Sequence, residues 1–284
     1  MNIIGLDHLV ILCADIEAGA HDYEVMLGRS LDWAHHNSSD GTRSALFRLG
    51  NTAIELLAPA GDGPVGDRIR QLLAASEQRL TSLAFRVDDI AEAHRIAARR
   101  GLFPQDITQA SSDYDGRSRS WSRFRCKDDA LSGLKVFMLQ ETNRVPADNP
   151  PTDDAAFRLD HLVVNTSNPD RAMACYGAKL GLRLALDRTN ADWGARFLFF
   201  RLPDLTFEVV QRLDSDKTPE DPDTLWGLTW QVRDIDAAHR RLKEHGVDVS
   251  EVRKGRKPGT RVMSIKSHDL GVPTLFLEAN AVSS

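Results

Sequence analysis

An internal repeat constrains this chain more than any other feature. Leu6-Asp7-His8-Leu9-Val10-Ile11 returns as Leu159-Asp160-His161-Leu162-Val163-Val164, a step of 153 residues (161 − 8). The same step carries Ile54-Glu55-Leu56-Leu57 to Phe207-Glu208-Val209-Val210, and Gly41–Leu49 to Gly194–Leu202. A step held without gaps means that both halves repeat one architecture, which settles more than any single helix or strand assignment. Each half holds one His near its start and one Glu on a later strand. A second repeat lies inside the first. Asp88-Asp89-Ile90 with His94-Arg95 matches Arg233-Asp234-Ile235 with His239-Arg240, a step of 145 (239 − 94). The chain therefore reads as four modules in two tandem pairs.

Within a module the pattern is β-α-β-β-β. Residues 5–13 are rich in Leu, Val and Ile, as in a buried strand. Asp15 is placed to cap the next helix and Gly28 to end it. The strands Ser44–Leu49 and Ala53–Leu57 flank the hairpin turn Gly50-Asn51, and a further strand is expected near Leu31–His35. Ile69, Leu72 and Leu73 mark a short amphipathic stretch. The second module starts at Leu80, and its helix ends at Gly101. The polar, Gly/Ser/Asp-rich segment Gln105–Ser120 reads as a surface loop, or alternatively as a lid. Strands close this module at Trp121–Arg125 and Leu134–Leu139. Pro146, Pro150 and Pro151 mark the clearest linker. The expected organisation is an N-terminal domain over 1–142, a linker over 143–156 and a C-terminal domain over 157–284.

Composition narrows the function classes. Of 284 residues, 42% are apolar and 27% charged, the profile of a chain that buries an ordinary core. The formal net charge of −5 gives no reason to expect a nucleic-acid partner. No apolar run approaches the length of a membrane helix. The start of the chain lacks a basic segment followed by an apolar one, so no secretory signal is expected. Cys13, Cys126 and Cys175 are scattered and odd in number, which reads as reduced thiols in a cytoplasmic protein.

The repeated Asp-His-Leu-Val phrase, the helix stops Gly28 and Gly181, and the strands carrying Glu55 and Glu208 together resemble the vicinal oxygen chelate superfamily. That superfamily includes glyoxalase I, methylmalonyl-CoA epimerase, extradiol dioxygenases and bleomycin-resistance proteins. The stretch around Gly41–Leu46 and Glu55–Pro59 is most similar to its glyoxalase-like domains. The resemblance implies an α+β fold: four βαβββ modules in two tandem pairs, forming half-open mixed β-sheet barrels with helices outside. It also implies one divalent ion, of Fe, Mn, Ni, Co or Zn, held by imidazole and carboxylate. His8, Glu55, His161 and Glu208 occupy the ligand positions. In the other two modules Ser82 and Gly227 replace the His, and Phe137 and Leu275 replace the Glu. A single His₂Glu₂ site would result if modules one and three faced each other. The implied function is a metal-dependent lyase or isomerase acting on a small oxygenated substrate. It would work through a metal-chelated enediolate-type intermediate, with Glu55 or Glu208 as general base. The extradiol ring-cleaving alternative needs His, His and Glu in the last two modules, where the second His and the Glu are missing. A metal-free, small-molecule-binding protein of the resistance type is the alternative from another class.

Four more residues are candidates for substrate binding. Arg43 and Arg196 alternate with apolar positions and suit an anionic group; as strand residues they also read as surface. Trp193 suits an aromatic pocket or core packing. His268 lies before the last strand and suits acid–base work or a replacement ligand. His35 and His36 lie in a polar stretch, and His94 and His239 on helices, where packing or solvation explains them. A homodimer would cover the edge strands.

Overall fold

A computed structural model describes residues 1–143 and 151–279. The first module runs β1 (Ile3–Leu12), α1 (Ile16–Leu27), β2 (Trp33–Asn37), β3 (Thr42–Arg48) and β4 (Ala53–Pro59), followed by a helix of its own, α2 (Pro64–Ala75). The second is β5 (Leu80–Val87), α3 (Ile90–Arg99), β6 (Thr108–Tyr114), β7 (Arg117–Arg125) and β8 (Lys135–Asn143). The third is β9 (Arg158–Asn165), α4 (Pro169–Ala172) continued by a π-helix over Met173–Lys179, β10 (Arg183–Asn190), β11 (Ala195–Arg201) and β12 (Thr206–Arg212). The fourth is β13 (Thr224–Gln231), α5 (Ile235–Glu244), β14 (Arg253–Lys254), β15 (Thr260–Ile265) and β16 (Thr274–Ala279).

Local chemistry explains why each module turns from strand to helix at the same point. Asp15, Asp89, Asp234 and Asn168 each stand before a helix in extended backbone. Each side-chain oxygen accepts the N–H three residues on, which satisfies one of the donors a helix start leaves open. Gly28 ends α1 in the left-handed region at φ 67°, where a Cβ would be strained.

The strands form two eight-stranded sheets, in the orders β2-β3-β4-β1-β5-β8-β7-β6 and β10-β11-β12-β9-β13-β16-β15-β14. The sheets thus join module one to module two and module three to module four. In the second, third and fourth modules the first strand pairs parallel with the last, and the remaining pairs within the modules are antiparallel. In the first sheet α1 and in the second the π-helix cover one face, against large buried rings such as Tyr23, Phe47, Tyr176, Phe200 and Phe207.

The expected loop or lid over Gln105–Ser120 is instead most of a β-hairpin, β6–β7. Its turn is Asp115-Gly116, with both residues at positive φ (51° and 70°), the geometry of a two-residue type I′ turn. Over residues 108–120 the strands are largely polar on both faces, so alternation of apolar residues could not reveal that part. The Asp-Gly pair was the available signal.

Residues 144–150 of the expected linker lie outside the described residues. Its end is packed: Ala155 and Ala156 are fully buried. The β3–β4 turn also grips the start of β9. The Asn51 side chain donates to the Leu159 carbonyl and accepts its N–H, both at 2.8 Å, and the Gly50 N–H donates to the Phe157 carbonyl at 2.7 Å.

The chain divides into two compact units, and neither is a tandem half. One combines Met1–Leu9, the second module and His161–Trp226; the other combines Val10–Leu80, the start of β9 and the chain from Gly227 onward.

Candidate functional site

The third module brings its His and Glu together. Thr206 pairs with His161 and Glu208 with Val163 across β12 and β9. Residues two apart on a strand share a face, so His161 and Val163 stand beside Glu208 and Val210. The His161 Nε2 is 3.6 Å from a Glu208 carboxylate oxygen, longer than a hydrogen bond. The side chains are 20% and 16% exposed, enough for an incoming molecule to reach them. On β11, Phe199 is opposite Glu208 and Phe197 opposite Val210. Phe197 and Phe199 are stacked, with centroids 6.1 Å apart and ring planes 14° from parallel. Trp193 meets Phe197 edge-on at 5.8 Å. Val163, Ala195, Phe197 and Val210 form the buried floor, with Phe199 packed on it. Carboxylate, imidazole and three rings thus border one sheet face.

The first module is built differently on the same face. Val10 and Leu12 follow His8 along β1, and Leu57 follows Glu55 along β4. These three pack under Ile69, Leu72 and Leu73 of α2. The equivalent stretch after the third module, residues 213–223, is loop rather than helix. His8 is oriented by its neighbour: its Nδ1 lies 2.8 Å from Asp7, whose other oxygen meets the Arg86 Nε at 3.2 Å. Burial alone would raise the Asp7 carboxyl. The His8 contact and the Arg86 charge outweigh that and hold it at about 2.

The remaining candidates lie elsewhere. Arg43 and Arg196 stand on the opposite, helix-covered faces of β3 and β11. Arg43 pairs with Glu17 of α1 at 2.6 Å; Arg196 pairs with Asp187 at 2.8 Å and with Asp170 of α4 at 3.3 Å. Neither faces the side that carries the Glu of its module. His268 accepts from or donates to Ser267 at 2.9 Å, and its Nε2 lies 3.8 Å from Asp22 of α1. Trp193 is the one of these four that borders the His161–Glu208 face. The stacked phenylalanines were missed: they read as core residues of an apolar strand, and only the cross-strand register shows that they flank a carboxylate.

The register also tests the replaced positions. In the third module the Glu pairs with the residue two beyond the His. Phe137 pairs with Ala84 and Leu275 with Thr229, two beyond Ser82 and Gly227. These positions are therefore the structural equivalents of the repeated His and Glu, and none can bind a metal through imidazole or carboxylate. Among the described residues, no group of three or more His, Cys, Asp or Glu side chains is placed to hold an ion. A catalytic ion usually takes three protein ligands. His161 and Glu208 have the right chemistry but fall one donor short of that set.

Comparison with known proteins settles the ancestry. The model for the glyoxalase-like domain matches residues 6–157, over half of the chain, and the glyoxalase/bleomycin resistance protein/dioxygenase superfamily model matches residues 160–263. The chain belongs to the vicinal oxygen chelate superfamily. Solved structures of this vicinal oxygen chelate architecture agree in fold. A mutant 4-hydroxymandelate synthase from Streptomyces coelicolor is 16% identical with a TM-score of 0.66, over 100% of this chain and 95% of that one. A hypothetical protein from Staphylococcus aureus is 11% identical with a TM-score of 0.63, over 97% and 99%. A fusion of a xylose isomerase-like TIM barrel with 4-hydroxyphenylpyruvate dioxygenase is 13% identical with a TM-score of 0.63; the match spans 100% of this chain and half of the fusion. Comparison with curated proteins gave no match. Among the described residues no helix is long and apolar enough to cross a membrane.

Proposed function

We propose that this vicinal oxygen chelate protein takes a small oxygenated molecule with a planar apolar part on the third-module face. The His161–Glu208 pair meets its oxygens, and Trp193, Phe197 and Phe199 meet its ring or alkene. One observation carries this reading: the third module keeps the polar pair beside exposed Trp193 and the stacked Phe197 and Phe199, whereas α2 packs along the corresponding strands of the first. The names of two structural neighbours, a 4-hydroxymandelate synthase and a 4-hydroxyphenylpyruvate dioxygenase fusion, agree with such a ligand.

As an enzyme the site performs lyase or isomerase chemistry. Glu208 removes a proton from the carbon beside a carbonyl, and His161 supplies a proton to the oxygen on which charge develops, giving an enediolate-type intermediate. Enzymes of the superfamily typically use a divalent ion as Lewis acid. Because two donors are present instead of three, no step here is routed through one. The resistance-type alternative, a binder without chemistry, is supported by the same shortage.

The test is equilibrium binding of phenylpyruvate and catechol, followed by tryptophan fluorescence, with and without chelator. We expect saturable binding that His161→Ala and Glu208→Gln weaken and that His8→Ala leaves intact. Turnover of a bound compound, lost in Glu208→Gln, marks an enzyme; binding without turnover marks a sequestering protein. Equal loss in His8→Ala and His161→Ala would overturn the placement in module three. Metal content by mass spectrometry, measured on the same variants, reports whether His161 and Glu208 retain an ion.

A further inference from the structure

The second module departs from its ancestry in more than the loss of ligands. Every second residue of β7 from Arg117 to Arg125 is arginine except one: Arg117, Arg119, Trp121, Arg123, Arg125. Alternation puts them on one face of the strand. The other face holds buried Ser122 and Phe124, with Phe124 packed edge-on against His94 of α3 at 5.1 Å. The arginines therefore line the face away from α3, where Ser82 and Phe137 replace the His and Glu. On β8, Phe137 is opposite Arg125, Leu139 opposite Arg123 and Glu141 opposite Trp121. Lys135, two residues before Phe137, adds a fifth cation.

Aromatic rings orient these cations. The Arg119 guanidinium lies 4.8 Å from the Trp121 ring centre, and those of Arg123 and Arg125 lie 5.7 and 6.0 Å from that of Phe137, all within cation–π range. Asp128 fixes Arg125 through both carboxylate oxygens, at 2.7 and 2.6 Å. Side chains two apart on a strand are roughly 7 Å from each other, close enough for like charges to repel at ordinary ionic strength. Asp128 holds Arg125 in place, and Glu141 stands opposite Trp121 on the same face. The chain as a whole is acidic, at −5, so this stripe is a local concentration rather than a general basicity.

We propose that this face binds a small polyanion, a molecule bearing two or more phosphoryl or carboxylate groups. Guanidinium forks pair with such groups through two parallel hydrogen bonds, and a strand that presents them at every second residue matches several anionic groups along one molecule. The site belongs to the second module and does not depend on the reading of His161 and Glu208.

Isothermal titration calorimetry of the whole chain at low ionic strength tests it, with sodium tripolyphosphate and citrate as probes. We expect one saturable site for at least one of them. Binding of tripolyphosphate alone assigns phosphoryl groups, and binding of citrate alone assigns carboxylates. Arg123→Gln, at an exposed side chain, and Arg119→Gln/Arg123→Gln are each expected to weaken binding about tenfold or more. Arg253→Gln/Lys254→Gln, which removes two cations from exposed β14, is expected to change it less than twofold. Circular dichroism confirms that each variant is folded. Absence of saturable heat with both probes would overturn the proposal, as would equal weakening by the β7 and β14 variants.

Discussion

Glu208 and Glu55 occupy equivalent register positions yet stand in different surroundings. Glu208 lies opposite the exposed-side ring Phe199 and beside His161; Glu55 is followed by Leu57, which lies under α2. The variants should therefore diverge. Glu208→Gln is expected to lower affinity for the small aromatic probe at least about tenfold, the loss expected for one charge-assisted hydrogen bond. Glu55→Gln should change it less than about twofold, as read by fluorescence titration. The buried thiols give a second residue-level expectation. Burial pushes Cys13 and Cys126 up to about 12 from an ordinary 9, with Asp15 and Glu17 adding to the shift at Cys13. Below pH 9 both are protonated in folded and unfolded chains alike. Between about 9 and 12 the unfolded chain loses these protons first, so stability falls as pH rises through that window. Native protein should resist thiol-specific labelling at pH 8 and react once unfolded. The repeated His and Glu residues were legible in the sequence because they recur at one step. The aromatic neighbours were not, because a phenylalanine on an apolar strand looks the same whether it faces a helix or a pocket.

At the scale of elements, the modules were readable from their punctuation. Asp or Asn before the helix that follows each module's first strand, and Gly after α1, are local signals, and local signals survive in one dimension. Trp121–Arg125 of β7 reads as a strand, but the rest of the β6–β7 hairpin escaped because residues 108–120 are largely polar on both sides, so its one clear mark is Asp115-Gly116. Both residues sit at positive φ with nothing within 4 Å of a Cβ at Gly116. Gly116→Ala should therefore cost about 1 kcal/mol from backbone strain alone, measured by urea denaturation, without disturbing the neighbouring strands. The role of α2 was equally hidden. Its amphipathic pattern was evident, but no sequence signal said that Ile69, Leu72 and Leu73 would cover Val10, Leu12 and Leu57. Ile69, 3% exposed, should lose about 2–4 kcal/mol on replacement by Ala. Tighter or altered probe binding in that variant would mean that the first module also holds a working face.

For the whole molecule, the repeat revealed four modules but not how they associate. Sheet order follows the chain, one with two and three with four, whereas the compact units cross it. That choice is made by side-chain packing between elements far apart in sequence, which no local pattern encodes. Asn51 shows it at one residue: a turn position in the first half, it pairs with both backbone groups of Leu159 in the second. Asn51→Ala leaves a buried N–H and carbonyl without that partner and should cost about 3 kcal/mol. Separate expression of residues 1–142 and 157–284 should yield two poorly folded chains, because each compact unit draws on both. Co-expression that restores a folded complex, seen by size-exclusion chromatography and thermal melting, is the expected complement.

The interleaving of the compact units also carries a consequence for how the protein is made. A ribosome releases the chain from its N-terminus, at roughly 5–20 residues per second. Neither unit holds all its parts until the emerging chain has passed Trp226, and the other still awaits the strands beyond Gly227. For about ten seconds, therefore, the first eight strands wait with part of their apolar surface uncovered. Folding of both compact units is thus delayed to the later part of synthesis, and slower translation before Trp226 lengthens the exposed interval.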